Sequence, residues 1–211
     1  LKLTQNITEN ENSYLKMPKI FFNISKKLKF YLLKEDLFKF KEQLLISASL
    51  EHLKQLKITP TDLEVHSSLA NIYTSLSKLY FDAKETIFFS KTSKTVLNQK
   101  YEICIKTTIE EFKILNDYAP NDPWIHLQLA NSYNKLGLKK EEIKEYEVMY
   151  KLCPNDNNIL FKLGCLYFET KKNAKGLRIY EELQMRSFAE SDKLLSYYGV
   201  FKTEEILSET I

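Results

Sequence analysis

The feature that most constrains this chain is an internal repeat. Two stretches, HSSLANIYTSL (His66–Leu76) and HLQLANSYNKL (His126–Leu136), carry His, Leu, Ala, Asn, Tyr and Leu at the same offsets. Over residues 59–76 and 119–136, 8 of 18 positions are identical, far more than residue frequencies alone would give. A chain that repeats itself in this way is built from repeated structural units.

A shorter period appears later in the chain. The tripeptide PND occurs at Pro120–Asp122 and again at Pro154–Asp156, so the period is 154 − 120 = 34. A unit of this length accommodates two antiparallel helices and their turn. Proline disfavours a helix before it, and an aspartate that follows can cap the next helix. The spacing therefore predicts an all-α chain of helical hairpins.

Composition narrows the class of protein further. Four Gly and five Pro in 211 residues argue against a fold of many short strands, and a net charge of +3 gives no electrostatic case for a nucleic-acid binder. The sequence has no apolar run long enough to span a membrane. Three cysteines without C-x-x-C spacing predict packing residues in a reducing, cytoplasmic compartment, with no metal site and no cofactor.

The repeat resembles the tetratricopeptide (TPR) family. With Pro123 as the first position, Leu129, Ala130, Tyr133 and Gly137 fall where that family places a leucine, a small residue, an aromatic residue and a turn residue. The unit from Asn157 follows the same pattern. The resemblance implies a right-handed solenoid of αα-hairpins. The sequence departs from the family where His66, His126 and Leu160 replace a tryptophan, and where Glu142 replaces the small residue of a second helix.

These periods predict one helical-repeat domain over 14–210, preceded by a polar, disordered tail at 1–13. We expect hairpins at about 14–58, 62–118, 123–154 and 157–188 and a helical cap at 190–210. The first hairpin would turn at Glu35–Asp36. The unit that starts at Leu63 has 60 − 34 = 26 extra residues, 77–102. Its first helix would reach about Phe89 and turn within Ser90–Lys94. A loop over this whole stretch is the alternative, although structureless loops of that length are uncommon.

The resemblance also implies a concave groove, lined by the first helix of each hairpin, that binds a peptide segment of a partner. The positions expected to face it are Ser67, Asn71, Thr74, Gln128, Asn131, Lys135, Asn158 and Lys162, with Trp124, Asn134 and Phe161 beside them. An asparagine amide can pair with both polar groups of an extended backbone. The lysines would favour an acidic or carboxylate-bearing segment. A solvated helix face is the alternative interpretation of each position.

One TPR subfamily grips carboxyl-terminal peptides through a two-carboxylate clamp. Asn71 and Lys162 match that clamp by residue type, but Ser67, Gln128 and Asn158 do not. Two missing basic groups would cost such a site most of its affinity. The sequence therefore does not predict a clamp.

No nucleophile with its base, phosphate loop or metal-ligand spacing is present, and the three histidines are expected to pack between helices. The predicted function is non-enzymatic: a scaffold, an adaptor or a chaperone-like protein. Two alternatives stay open. The chain could be the interaction domain of a larger multidomain protein or enzyme, or its basic amphipathic stretch at 19–34 could tether it to a membrane surface. The sequence leaves the oligomeric state open.

Overall fold

The computed structural model describes residues 19–85 and 91–198, and every regular element within them is an α-helix. The helices pack in chain order, which confirms the predicted all-α architecture. Their bounds are α1 Lys19–Leu56, α2 Leu63–Lys84, α3 Lys91–Tyr118, α4 Pro123–Lys135, α5 Lys139–Leu152, α6 Asn157–Glu169 and α7 Asn173–Met185. Residues 191–198 form a further helical run.

Three aspartates begin the first helix of each hairpin. Asp62 caps α2, Asp122 caps α4 and Asp156 caps α6. Each carboxylate accepts a hydrogen bond from the backbone N–H two residues ahead, at 3.1, 2.9 and 2.9 Å respectively. These bonds satisfy donors that have no partner inside the helix. The capping role predicted from the Pro-x-Asp repeat is confirmed.

Two of the short helices, α4 and α6, end in a left-handed turn. Gly137 follows α4 with φ of 70°, and Lys171 follows α6 with φ of 60°. The two positions lie one repeat period apart (171 − 137 = 34), so they are equivalent. In each case the N–H of this residue and that of the residue after it donate to carbonyls in the last turn of the helix. This pairing is the Schellman motif, which reverses the chain without leaving helical carbonyls unsatisfied.

Side chains from successive hairpins share their cores. Ala70 of α2 lies in one cluster with residues of α3 and α4, and Ala130 of α4 lies in another with residues of α5, α6 and α7. A third cluster joins α1, α2 and α3 around Tyr80 and Leu97. Because each helix packs against its neighbours in the chain, the described helices form a continuous stack. We call the first helices of the hairpins, α2, α4 and α6, the first-helix layer, and the second helices, α3, α5 and α7, the second-helix layer.

The small residues predicted at the close contacts of the stack, Ala70, Ala130 and Gly164, are all buried. A Cβ atom added to Gly164 would lie 2.7 Å from Leu194 Cδ2 and 3.0 Å from Ile179 Cγ2. Helix α6 therefore approaches both α7 and the 191–198 run at a distance that favours glycine.

Two predicted turns are wrong. The first hairpin does not turn at Glu35–Asp36, because α1, Lys19–Leu56, is one helix of 38 residues that passes through that point. No Gly or Pro interrupts it, and Glu35 pairs with Lys39 one turn later, at 2.8 Å. The turn predicted at Ser90–Lys94 is also displaced: α2 ends at Lys84, and Lys91–Lys94 already belong to α3. The tail at 1–13 and the end of the cap beyond 198 lie outside the described residues.

Candidate functional site

The predicted groove residues lie on the three first helices. Ser67, Asn71 and Thr74 are on α2, Gln128, Asn131 and Lys135 on α4, and Asn158 and Lys162 on α6. The three Asn and both Lys are exposed, and the Ser, Thr and Gln are half-buried. All eight therefore reach solvent from the same layer of the stack.

These side chains are not engaged by the rest of the protein. Ser75 and Ser132 donate to the backbone carbonyls of Asn71 and Gln128, at 2.9 and 2.8 Å, but those bonds leave the amide side chains unused. Across residues 33–85 and 93–198, none of the eight side chains makes a hydrogen bond or an ion pair. Surface amides and ammonium groups with no internal role are available to a ligand.

Lys135 differs from an ordinary surface lysine. Its side chain reaches water, yet desolvation by the surrounding protein lowers the pKa of its amine. A charged amine in such a place lacks part of its hydration, so an approaching carboxylate would stabilise it.

Three neighbouring positions behave differently from one another. Trp124 is 44% exposed and packs edge-on against Phe112, with ring centroids 5.6 Å apart. Phe161 is half-buried beneath Phe188 and Tyr197. The Asn134 amide donates to both carboxylate oxygens of Glu142, at 2.9 and 3.0 Å. Asn134 is an exposed residue whose amide is held by this internal contact.

A second set of polar residues lies inside the stack, and sequence reasoning found only half of it. His66 and His126 are buried, as predicted. His66 Nδ1 lies 2.6 Å from the Glu111 carboxylate, and His126 Nδ1 lies 2.7 Å from Glu145. Each Nε2 lies 2.9 Å from a proline carbonyl six residues earlier, that of Pro60 or Pro120.

The chemistry of these contacts fixes their protons. A carbonyl can only accept, so each Nε2 carries a proton and donates it to the proline oxygen. For His66, burial alone would lower the pKa of the imidazole, but the hydrogen bonds to Glu111 and Pro60 outweigh that effect and the pKa is raised. Below this raised pKa, the His66–Glu111 pair is an imidazolium bound to a carboxylate.

The last unit replaces this polar pair with an apolar one. Glu111, Glu145 and Ile179 follow one another at the repeat period, as do His126 and Leu160. Leu160 and Ile179 are both buried. The Pro154 carbonyl, which has no histidine to bond, accepts instead from Arg186 at 2.7 Å. Spacing of the glutamates was the signal in the sequence that could have identified the histidines' partners.

A second matched exchange occurs at other equivalent positions. Asn134 and Glu142 correspond to Phe168 and Gly176, each one period later in the chain. Glu142 is 1% exposed and is also bound by Lys139, at 3.2 Å. In the last unit, a Cβ atom on Gly176 would overlap the Phe168 ring. One unit thus buries a polar pair where the next buries a ring against a glycine.

Other chemistry is sparse in the described part of the chain. Burial raises the pKa of the Cys104 thiol to about 11, so Cys104 stays protonated and acts as a packing residue. Within residues 19–85 and 91–198, no cluster of three or more His, Cys, Asp or Glu could hold a metal ion. No helix there combines the length and hydropathy that crossing a bilayer requires.

Comparisons with known proteins do not extend this description of the site. No protein-family model matches the chain, and no curated protein does. Among solved structures, the chain is similar to the crystal structure of MamA, with a TM-score of 0.45 and 15% identity, over 79% of this chain and 92% of that one. A likeness at that level carries no information about the binding residues of this chain.

Proposed function

We propose that this protein is a non-enzymatic scaffold or adaptor whose first-helix layer binds a peptide segment of another protein. The observation that carries the proposal is the row of accessible, internally unused polar side chains on α2, α4 and α6. Stacked repeats characteristically use such extended surfaces for binding, because each unit contributes equivalent positions at regular intervals.

Each part of the surface suggests a role in recognition. The amides of Asn71 and Asn131 stand at equivalent positions of α2 and α4, where each can accept from and donate to the backbone of an extended ligand. Lys135 and Lys162 favour a segment that carries carboxylates. The exposed Trp124 offers an aromatic face to an apolar side chain of the ligand.

Selection from a displayed library of random peptides tests this proposal. We expect the parent protein to enrich acidic peptides, whose affinity weakens with salt because exposed charges are screened within about 8–10 Å. The variant Asn71→Ala/Asn131→Ala/Lys162→Glu should lose these peptides. A matched control, Asn121→Ala/Asn155→Ala/Lys144→Glu, carries the same types of change at other exposed positions and should retain them.

The outcome that contradicts the proposal is equal binding by the two triple variants, provided that both melt at the parental temperature. Binding would then occur on the second-helix layer or on α1. Enrichment of basic or uncharged peptides would leave a binding surface but overturn the role assigned to the lysines.

A further inference from the structure

Helix α1 carries a second, apolar surface that the rest of the described chain does not cover. Leu33, Leu37, Phe40 and Leu44, which we term the outer stripe, are 64%, 49%, 66% and 60% exposed. Single exposed apolar residues are common, but a contiguous row of large ones marks an interaction surface.

The packed face of α1 points the other way. Its residues lie five positions after each member of the stripe, which is about 140° around a helix: Phe38, Glu42, Leu45 and Ser49. The ring centroids of Phe38 and Tyr80 are 6.3 Å apart, and Glu42 accepts a hydrogen bond from the Tyr80 hydroxyl at 2.9 Å. Helix α1 is thus held against the stack by one face while the outer stripe faces away from it.

The spacing of the stripe identifies the kind of partner. Steps of four, three and four residues are the alternating d and a positions of a coiled coil, in which a second helix fits knobs into holes. Leu33 and Phe40 occupy d positions, and Leu37 and Leu44 occupy a positions. The surface therefore fits another helix that carries the same seam.

Charged residues beside the outer stripe indicate which helix would pair with it and in which orientation. Asp36 occupies the g position and Lys41 the e position five residues later. In a parallel pair, g of one helix meets e of the other, so Asp36 would face Lys41 of a second copy, twice by symmetry. In an antiparallel pair that buries the same four residues, Asp36 would face Gln43 and Lys41 would face Lys34, so no opposite charges would meet. Neither Asp36 nor Lys41 forms an ion pair within the described chain.

We propose that the outer stripe joins two copies of this chain through a parallel α1–α1′ pair. The two-fold axis would run along the stripe, which places the two stacks on opposite sides and prevents them from clashing. Two heptads are short for an isolated coiled coil, because the helix must first be nucleated. Here packing against α2 already orders the C-terminal half of α1, so association does not carry that cost.

Analytical ultracentrifugation over a range of concentrations tests the proposal. The parent should reach twice the 24.9 kDa of one chain. Phe40→Glu/Leu44→Glu should raise the dissociation constant by roughly a hundredfold, as expected for the loss of central interface anchors. Ile58→Glu, a change at an 83% exposed residue beyond α1, should leave it unchanged. Circular dichroism checks that each variant keeps its helix content.

Charge reversal tests the register. Asp36→Lys should weaken a parallel dimer about three- to tenfold, and Asp36→Lys/Lys41→Glu should restore it, because the pair is regained with its signs exchanged. An antiparallel dimer would respond little to the single change, since Asp36 would there face the uncharged Gln43. That result would overturn the register.

Other results would overturn the proposal as a whole. They are a parent that stays monomeric at all concentrations, a dimer that tolerates Phe40→Glu/Leu44→Glu, and a monomer that uses the outer stripe to bind vesicles of anionic lipid. In the last case the occupant of the stripe is a membrane surface and not a second copy.

Discussion

The N-terminal and C-terminal parts of the stack both pack each helix against the next, but with helices of different length. In the C-terminal part, α4 to α7 have 13 or 14 residues each. In the N-terminal part, α1, α2 and α3 have 38, 22 and 28. The aspartate caps and the His–Glu pair are nevertheless at equivalent positions in α2–α3 and α4–α5. The local contacts that set register are therefore separable from those that set helix length.

Position fifteen of the unit, counted from Pro123 as position one, shows what determines the length of the first helix. Gly137 and Lys171 turn the chain there, whereas the equivalent Ser77 is 1% exposed and lies inside α2. The chain turns at Lys171 but stays helical through Ser77. The type of residue at this position therefore does not determine whether the first helix ends there. Beyond Ser77, Tyr80 and Ala83 are buried in the cluster that α1 and α3 share. The helix continues because its next apolar residues have partners to pack against.

The largest expected effect is on the unfolding free energy. It concerns the buried His66–Glu111 pair, which the last unit replaces with two apolar residues. His66→Leu would leave Glu111 buried without its partner, and we expect a loss of about 2–4 kcal/mol in unfolding free energy. His66→Leu/Glu111→Ile installs the apolar pair of the last unit and should recover most of that loss. Urea denaturation measures both. A double variant no more stable than the single one would show that the units are not interchangeable.

The next effect concerns the close contacts of the C-terminal part. Gly176→Ala places a Cβ atom within the space of the buried Phe168 ring, and we expect a loss of about 1–3 kcal/mol from overpacking. Gly164→Ala meets the flexible end of Leu194, and the gain in helix propensity of about 1 kcal/mol offsets part of its cost. Thermal melts should therefore rank Gly176→Ala below Gly164→Ala; the reverse order would contradict the packing described here.

A smaller effect tests the turns. Lys171 adopts a left-handed conformation that costs an ordinary residue roughly 1–2 kcal/mol. Lys171→Gly should therefore raise the unfolding free energy by about 0.5–1 kcal/mol, since glycine also gains freedom in the unfolded chain. Gly137→Ala should lower it by a similar amount. If both changes act in the same direction, the two turns are not equivalent.

The smallest effect is a dependence on pH. Because the folded pKa of His66 is raised, its contribution to stability is fully present below the unfolded pKa of about 6.5. That contribution is lost as the pH rises through the higher folded pKa. Urea midpoints between pH 6 and 9 should fall more for the parent than for His66→Leu/Glu111→Ile. Parallel curves would show that the pair does not titrate in this range.

The sequence was sufficient for the features that depend on neighbours in the chain. The repeat period predicted the hairpin type, and the Pro-x-Asp pattern predicted three caps that the structure contains. The predicted turn at Glu35–Asp36 is wrong, because an exposed Glu35–Lys39 pair supports a helix there. A polar residue ends a helix only when a cap or a lack of packing partners accompanies it.

Some features of the candidate site could likewise be predicted from the sequence, and others could not. Exposure of Asn71, Asn131 and Lys162 follows from helical periodicity, so their placement in one layer could be predicted. Only the 34-residue spacing of Glu111 and Glu145 pointed to the partner of His66. The partner of Asn134 could not be predicted, because Glu142 stands where the repeat would place a small residue. The four-three-four spacing of the outer stripe is visible in the sequence. Its exposure is not, because it depends on the opposite face of α1 packing against α2.

We infer that the repeat aligns one continuous polar surface for binding, and amide chemical-shift mapping with an acidic peptide tests this inference most directly. Titration should move resonances from α2, α4 and α6 together, including Asn71, Asn131 and Lys162, with a single dissociation constant. Those of α3, α5 and α7 should change little. Shifts confined to α1, or to the second-helix layer, would contradict the inference.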